Sequence, residues 1–147
     1  MNKSNLKGHC FCNSITYEIT PPTKIFSHCH CESCRRSHGS AFVSWTSVES
    51  KYFKITSGEE LISNYESSPG IIWQFCKKCG NSLFQKTRHS PDMTYIVVAS
   101  LIDAIDREPQ GHVSFAEKVT WLDINDNLPK FKEKASDILV TNTSLNL

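Results

Sequence analysis

The chemistry-bearing residues of this 147-residue chain are seven cysteines that lie in three short clusters. The clusters are Cys10-x-Cys12, Cys29-x-Cys31-x-x-Cys34 and Cys76-x-x-Cys79. Cysteines at such spacings can direct their sulfurs at one zinc ion, ~2.3 Å from each sulfur. The cysteine content is below the ~8–10% that marks a secreted disulfide scaffold, and the number is odd. We therefore interpret the clusters as parts of metal sites built from reduced thiols.

The three clusters divide most simply into one set of four ligands and one set of three. The two pairs together supply four thiolates, which is a closed site in which zinc cross-links the fold. The middle cluster supplies three thiolates and leaves one corner of a tetrahedron for water, substrate or another residue, as in catalytic zinc sites. A zinc ribbon that joins the two C-x-x-C units is a rival pairing. The stretch between those units is much longer than the ~15–20 residues usual for that motif, so we favour the division into four and three.

Other cysteine chemistries fit the sequence less well. A thioredoxin-like redox pair would need an adjacent βαβ pattern, which the residues after Cys79 do not supply. An iron–sulfur cluster could use the same pairs but requires four ligands per cluster, and the sequence shows no sign of an electron-transfer partner site. The P-C-x-x-C motif of zinc deaminases is absent from the sequence, although His30-Cys31-Glu32 fits their H-x-E motif, and we set that class aside.

The elements that position these clusters are predicted to be short β-strands. Branched and aromatic residues recur in short runs bounded by Gly, Pro, Ser or Asn, which is typical of strands. Helical periodicity is limited to one or two turns after Cys31 and to residues 101–105. The sequence thus predicts an all-β fold, with strands at residues 14–20, 42–48, 52–56, 71–75, 82–85, 94–99 and 112–115.

Length and charge narrow the class of protein further. The chain has the length of one domain, and we predict a single zinc-binding β domain over residues 1–131 and a loosely ordered tail over 132–147. The 16 basic and 15 acidic side chains give a net charge of +1 without a basic block, which disfavours nucleic acid and anionic membranes as partners. The first residues are polar, and no apolar run is long enough to span a membrane. We expect a soluble, cytoplasmic protein.

Several motifs together resemble the glutathione-dependent formaldehyde-activating enzyme family, which also includes centromere protein V. They are Gly8-His9-Cys10-Phe11-Cys12, His30-Cys31-x-x-Cys34-Arg35-Arg36, Tyr65-x-Ser67-Ser68-Pro69-Gly70, Phe75-Cys76-x-x-Cys79-Gly80, Pro109-x-x-His112 and Asn127-Leu128-Pro129-Lys130-Phe131. The resemblance covers most of the chain. It implies an all-β fold of several short coiled antiparallel sheets, of the Mss-four-like zinc type. It also implies two zinc ions, one structural on Cys10, Cys12, Cys76 and Cys79, and one catalytic on Cys29, Cys31 and Cys34.

The chain departs from the family pattern at a few positions. Asn13 stands where the family commonly has Gly, and Asn tolerates left-handed backbone better than most residues. Trp73 and Gln74 precede Phe75 where a basic residue is frequent, and Asn81 follows Gly80 where Ser is usual. The predicted metal ligands are unaffected by these differences. The long basic and proline-rich extension of the centromere relative is absent, so its cytoskeletal role is not carried over.

A zinc ion with three thiolate ligands favours thiol chemistry over water activation, because a coordinating thiol gives up its proton outright. The resemblance implies glutathione as the thiol and formaldehyde as the aldehyde, joined reversibly as a carbon–sulfur lyase would. Arg35 and Arg36 are candidates to bind a substrate carboxylate. Of four histidines that could protonate an alkoxide, His28, His30, His38 and His112, we place His30 in the catalytic set and His38 with the substrate-binding residues.

A non-catalytic role is the alternative. A histidine could complete the three-cysteine set, which would make both zinc ions structural and the protein a glutathione carrier or a protein-binding adaptor. The sequence leaves the thiol, the aldehyde and the oligomeric state undetermined.

Overall fold

The computed structural model of the chain describes residues 4–133. Within them the protein is mostly β, with a single short α-helix and four 3-10 helices of three residues each, which confirms the predicted fold class. The helix α1 spans Glu32–His38. The strands are β1 Leu6–His9, β2 Thr16–Ile19, β3 Ile25–Cys29, β4 Val43–Glu49, β5 Phe53–Ser57, β6 Ile62–Ser68, β7 Ile71–Cys76, β8 Ser82–Thr87, β9 Met93–Val97 and β10 Gly111–Val113. None of the helices in the described part of the chain is both long enough and apolar enough to cross a bilayer.

The chain divides into two compact units, each made of two segments. Among the described residues, the first unit contains residues 4–24 and 46–107, and the second contains residues 25–45 and 108–133. Strand β4 begins in the second unit and continues in the first. The single domain over residues 1–131 stays a prediction, and most of the proposed tail, residues 134–147, lies outside the described residues.

The first unit contains antiparallel strands around an apolar core. Strand β2 pairs with β1 on one side and β5 on the other, and β6 to β9 pair in chain order. The period-two pattern of β2 turns Tyr17 and Ile19 inward, where the Tyr17 ring meets Phe84 edge to face at 5.1 Å between centroids. The core comprises Leu6, Cys10, Ile15, Tyr17, Ile19, Val48, Cys76, Leu83, Phe84 and Ile96.

The second unit is organised around a parallel pair of strands. Strand β10 lies beside β3 in a register that places His112 opposite His28 and Val113 opposite Cys29. The chain leaves β3 at Cys29 and enters α1 three residues later, at Glu32. Helix α1 ends at Gly39, whose φ of 61° is the left-handed conformation that commonly terminates helices. This arrangement brings the late strand β10 next to the middle cysteine cluster.

One local prediction is wrong and three strands were missed. Residues 101–105 are not helical: Leu101 forms an isolated antiparallel bridge with Gly8. Strands β1, β3 and β6 were not predicted. β1 has only four residues, and β6 is largely exposed and polar, so neither carries a clear alternation of apolar and polar residues.

Candidate metal centres

The two cysteine pairs meet in the first unit to form a four-sulfur cluster. Cys10, Cys12, Cys76 and Cys79 have their sulfur atoms within 4.8 Å of one another. Cys76 is the last residue of β7, and the turn that follows returns its chain through Gly80, whose φ is 77° and whose N–H donates to the Cys76 carbonyl at 2.7 Å. Glycine adopts this positive φ at little cost.

The turn that carries Cys10 and Cys12 resembles the turn after Cys76, because each contains a residue with a positive φ whose N–H donates to the carbonyl of a cysteine. Asn13 has a φ of 63°, and its N–H donates to the Cys10 carbonyl at 3.0 Å. The N–H of Ile15 donates to the Cys10 sulfur at 3.3 Å. Hydrogen bonds from the side chain and backbone of Ser14 lower the pKa of Cys12 to about 6. The Ser14 donors favour the thiolate form of Cys12, which is the form that a metal ion requires.

The sulfur spacing of the four-cysteine cluster fits zinc. The Cys10 sulfur lies 3.6 Å from that of Cys12, which lies 3.9 Å from that of Cys76. A tetrahedron with zinc–sulfur bonds of ~2.3 Å has edges of ~3.8 Å. Cys10 and Cys76 are fully buried, whereas Cys12 and Cys79 are partly exposed. Four thiol donors at this spacing suit a tetrahedral zinc ion.

The middle cluster forms a second, smaller group in the second unit. The sulfurs of Cys29, Cys31 and Cys34 lie within 4.8 Å of one another, and no histidine or carboxylate in residues 4–133 joins them. Cys31 precedes α1 as its N-cap, and its sulfur accepts from the Cys34 N–H at 3.3 Å. Cys34 is 5% exposed, whereas Cys29 and Cys31 are partly open to solvent. The three sulfurs therefore form one face of a site rather than a closed shell.

In the trio formed by Cys29, Cys31 and Cys34, the ionisation of each thiol depends strongly on the other two. Hydrogen bonds from Cys29 and Cys34 lower the pKa of Cys31, and hydrogen bonds to Cys29 and Cys31 raise the pKa of Cys34. Adjacent thiolates repel each other, so the first to ionise suppresses its neighbours. A divalent cation removes that conflict, and three sulfurs this close together suit one.

A buried chain of polar side chains lies beside the trio. His30, which separates Cys29 from Cys31, has its Nε2 2.8 Å from Nδ1 of His112, and Nε2 of His112 lies 2.8 Å from Oδ2 of Asp126. His30 is fully buried, and burial, followed by the charges of His112 and His28, lowers its pKa to about 4. Both histidines were candidates on the sequence alone, whereas no motif gave a signal for Asp126.

The proposed substrate-binding residues all lie on α1. The Nε of Arg35 donates to the His30 carbonyl at 3.1 Å, which holds this side chain close to the trio. Arg36 is 78% exposed and pairs with Glu32 at 2.8 Å, one turn earlier on the helix. His38 is partly buried, its Nδ1 lies 3.1 Å from the Cys34 carbonyl oxygen, and its ring meets Trp45 edge to face. Burial lowers the pKa of His38.

A cavity of about 350 Å³ borders the four-cysteine cluster. It is lined by Cys10 and Phe11 on one side and by Leu101 and Ile102 on the other. Phe11 is 84% exposed and Ile102 63% exposed. The nearby polar groups are already occupied, since the N–H of Phe11 donates to the Asn81 side chain at 2.9 Å. The lining is largely apolar, and its polar side chains are those of His9, Asn81 and Ser100.

Comparison with known proteins establishes the family. Residues 5–117 match the family of the glutathione-dependent formaldehyde-activating enzyme, a span that includes all seven cysteines. The chain belongs to this family.

Two individual proteins extend the comparison. An uncharacterized lyase of Schizosaccharomyces pombe is 31% identical over 78 residues, which is 53% of this chain and 55% of that protein. The chain thus matches only about half the length of this relative. A crystal structure of a Rhodobacter sphaeroides protein superimposes with a TM-score of 0.57 at 23% identity, over 69% of this chain and 92% of that one. This similarity supports the fold.

Proposed function

We propose that this protein is a zinc-dependent enzyme of the carbon–sulfur lyase type that joins a thiol such as glutathione reversibly to a small aldehyde such as formaldehyde. The difference between the two cysteine clusters carries the proposal. One has four sulfurs and suits a structural ion, whereas the other has three and is partly open. Membership of the family and the name of the yeast relative support a lyase-type activity.

The proposed reaction conserves atoms and charge. The thiol sulfur attacks the carbonyl carbon, and the electron pair of the C=O π bond moves to the oxygen. The proton lost by the thiol is returned to that oxygen, which gives a hydroxymethyl thioether. Cys29, Cys31 and Cys34 would hold the zinc ion, which would lower the pKa of a bound thiol and keep that thiol near its carbonyl partner.

Residues around the trio supply binding and proton handling in this proposal. Arg35 is held beside the trio by its bond to the His30 carbonyl, and its remaining N–H groups can bind a substrate carboxylate. Arg36 and His38 extend the binding surface along α1, and His30 is the assigned proton carrier. Three thiolates with one divalent cation carry a net charge of −1, so the nearby guanidinium groups also offset that charge.

Exchange NMR tests the activity. Glutathione and formaldehyde combine unaided, so the quantity to measure is the exchange rate with and without protein. We expect the protein to raise the rate, and chelation or Cys34→Ser to return it to the uncatalysed value. Cys34→Ala is a second variant of the same ligand, and Glu59→Gln on the surface of the first unit is a neutral control. An unchanged rate with zinc-loaded protein would contradict the proposal and favour the carrier or adaptor role.

A further inference from the structure

Three side chains from different parts of the second unit form one continuous hydrogen-bonded chain behind the three-cysteine cluster. Asp126 is bonded to His112, and His112 to His30, each across 2.8 Å. His112 is 1% exposed and His30 is fully buried, whereas Asp126 has 43% of its side chain exposed. The chain thus runs from the surface to the residue between Cys29 and Cys31.

The chemistry of the groups fixes the direction of these hydrogen bonds. An ionised carboxylate can only accept, so Nε2 of His112 carries a hydrogen and donates it to Asp126. In a neutral His112 ring, Nδ1 is then an acceptor, so Nε2 of His30 must donate to it. His30 is left with a bare Nδ1, which has no hydrogen-bond partner among residues 4–133. One carboxylate therefore determines the tautomers of two histidines.

Aromatic rings and one cation surround this hydrogen-bonded chain of Asp126, His112 and His30. The other oxygen of Asp126 lies 3.4 Å from the ammonium of Lys130, which already balances the carboxylate charge. The His28 ring lies 5.1 Å from that of His112, and Phe42 and Phe115 lie against the His30 ring at 5.1 and 5.2 Å. The two histidine rings are thus enclosed by other rings and are almost closed to solvent.

The backbone of His30 is held as firmly as its ring. Its N–H donates to the Val113 carbonyl at 3.0 Å, and its carbonyl accepts from Arg35 Nε at 3.1 Å. Because His30 is joined directly to Cys29 and Cys31, fixing this residue restricts where both sulfurs can lie. Preorganised ligands bind a metal ion more tightly than ligands that must first be ordered.

We propose that Asp126 and His112 are positioning residues for the three-cysteine cluster: they fix the tautomer and orientation of His30 and thereby hold Cys29 and Cys31 ready for a metal ion. This inference rests on the proposed metal-binding role of that cluster. It does not depend on which thiol or aldehyde the protein uses.

The tautomer is tested directly by nitrogen-15 NMR of the histidine rings in the full-length, metal-loaded protein. We expect His30 and His112 each to carry the hydrogen on Nε2. Asp126→Ala should change this pattern, because His112 loses the acceptor that selects its tautomer. Asp123→Ala removes an exposed carboxylate from the same loop and should leave it unchanged. Lys130→Gln controls for disturbance of the loop, since it removes the ion pair but not the bond to His112.

Metal affinity supplies a readout that a general loss of stability would not reproduce. With cadmium-113 as the bound ion, NMR distinguishes the two clusters by their number of sulfur ligands, and titration with a chelator reports on each separately. We expect Asp126→Ala to weaken the three-cysteine site about tenfold relative to the four-cysteine site in the same chain. His112→Phe, which keeps a ring of similar size, should have the same selective effect.

The inference is wrong if the wild-type rings carry hydrogen on Nδ1 of His30, or if Asp126→Ala leaves both the ring signals and the ratio of the two affinities unchanged. Equal weakening of both clusters would also overturn it, because that pattern indicates a general structural role. Failure of the proposed enzymatic activity would instead appear as an unchanged exchange rate with both tautomers and both affinities as expected.

Discussion

At the scale of residues, the cysteine spacing was highly informative and the polar residues around it were not. The spacing predicted one set of four cysteines and one set of three, because the ligands of one ion must be few and close together. Clusters with these members appear in the structure. Asp126 could not be predicted in the same way. Its contact with His112 depends on how a loop without regular periodicity folds back over β10, and no local pattern encodes such a contact.

Tyr17 provides a residue-scale prediction about pH. It is 1% exposed, and its hydroxyl shares a hydrogen bond with the side chain of Ser100. Burial raises the pKa of Tyr17, so the folded protein keeps the hydroxyl protonated where the unfolded chain would ionise it. The folded state then binds more protons than the unfolded state above pH ~10, and stability falls with rising pH at up to ~1.4 kcal/mol per pH unit.

Tyr17→Phe separates this effect from other alkaline transitions. At neutral pH we expect the variant to be less stable by ~1 kcal/mol, because it lacks the hydrogen bond to Ser100. Above pH ~10 the difference should shrink and then reverse, since phenylalanine has no proton to lose. Urea denaturation of both proteins from pH 7 to 11 measures this, and a difference independent of pH would contradict the argument.

At the scale of elements, strands with alternating residues were predictable and irregular segments were not. β2, β4, β5, β7, β8, β9 and β10 each overlap a predicted segment. Residues 101–105 have apolar residues at a helical spacing, but the hydrogen bond from the Ile102 N–H to the Lys7 carbonyl ties the segment to β1 instead. Tertiary hydrogen bonding thus overrode a weak local preference.

Helix α1 gives the prediction at this scale. Gly39 ends it with a φ of 61°, and a Cβ added there would meet no atom within 4 Å. Gly39→Ala should therefore cost ~1–2 kcal/mol purely through backbone strain. Gly39→Asn should cost less, because asparagine tolerates this conformation. Chemical denaturation of the three proteins checks the order, and equal stability of the Ala and Gly proteins would show that the helix end is not constrained.

At the scale of the whole molecule, the two candidate metal ions have different consequences for folding. The four-cysteine cluster joins segments that are far apart in the sequence, since Cys12 and Cys76 are separated by 64 positions, and two of its cysteines belong to the apolar core. The three-cysteine cluster draws all its ligands from one short stretch of sequence. A cross-link between distant segments stabilises a fold more than a local one does.

Substitution of one ligand in each cluster should reveal this difference. Cys79→Ser is expected to unfold the protein, because structural zinc contributes ~10–16 kcal/mol of apparent binding energy in small zinc-dependent folds. Cys34→Ser should leave the fold intact and release one zinc. Circular dichroism and metal content per chain measure both outcomes. Equal unfolding by the two substitutions would instead assign a structural role to both ions and favour the adaptor function.

The parallel pairing of β10 with β3 has a consequence for the newly synthesised chain. His30 and its partner His112 are 82 residues apart, so the ribosome adds the second at least roughly 4 to 16 seconds after the first, at ~5–20 residues per second. During that interval Cys29, Cys31 and Cys34 emerge without β10 to cover them. In this state the nascent thiols are open to oxidants and to competing metal ions. The folded site that would select one metal over another has not yet formed.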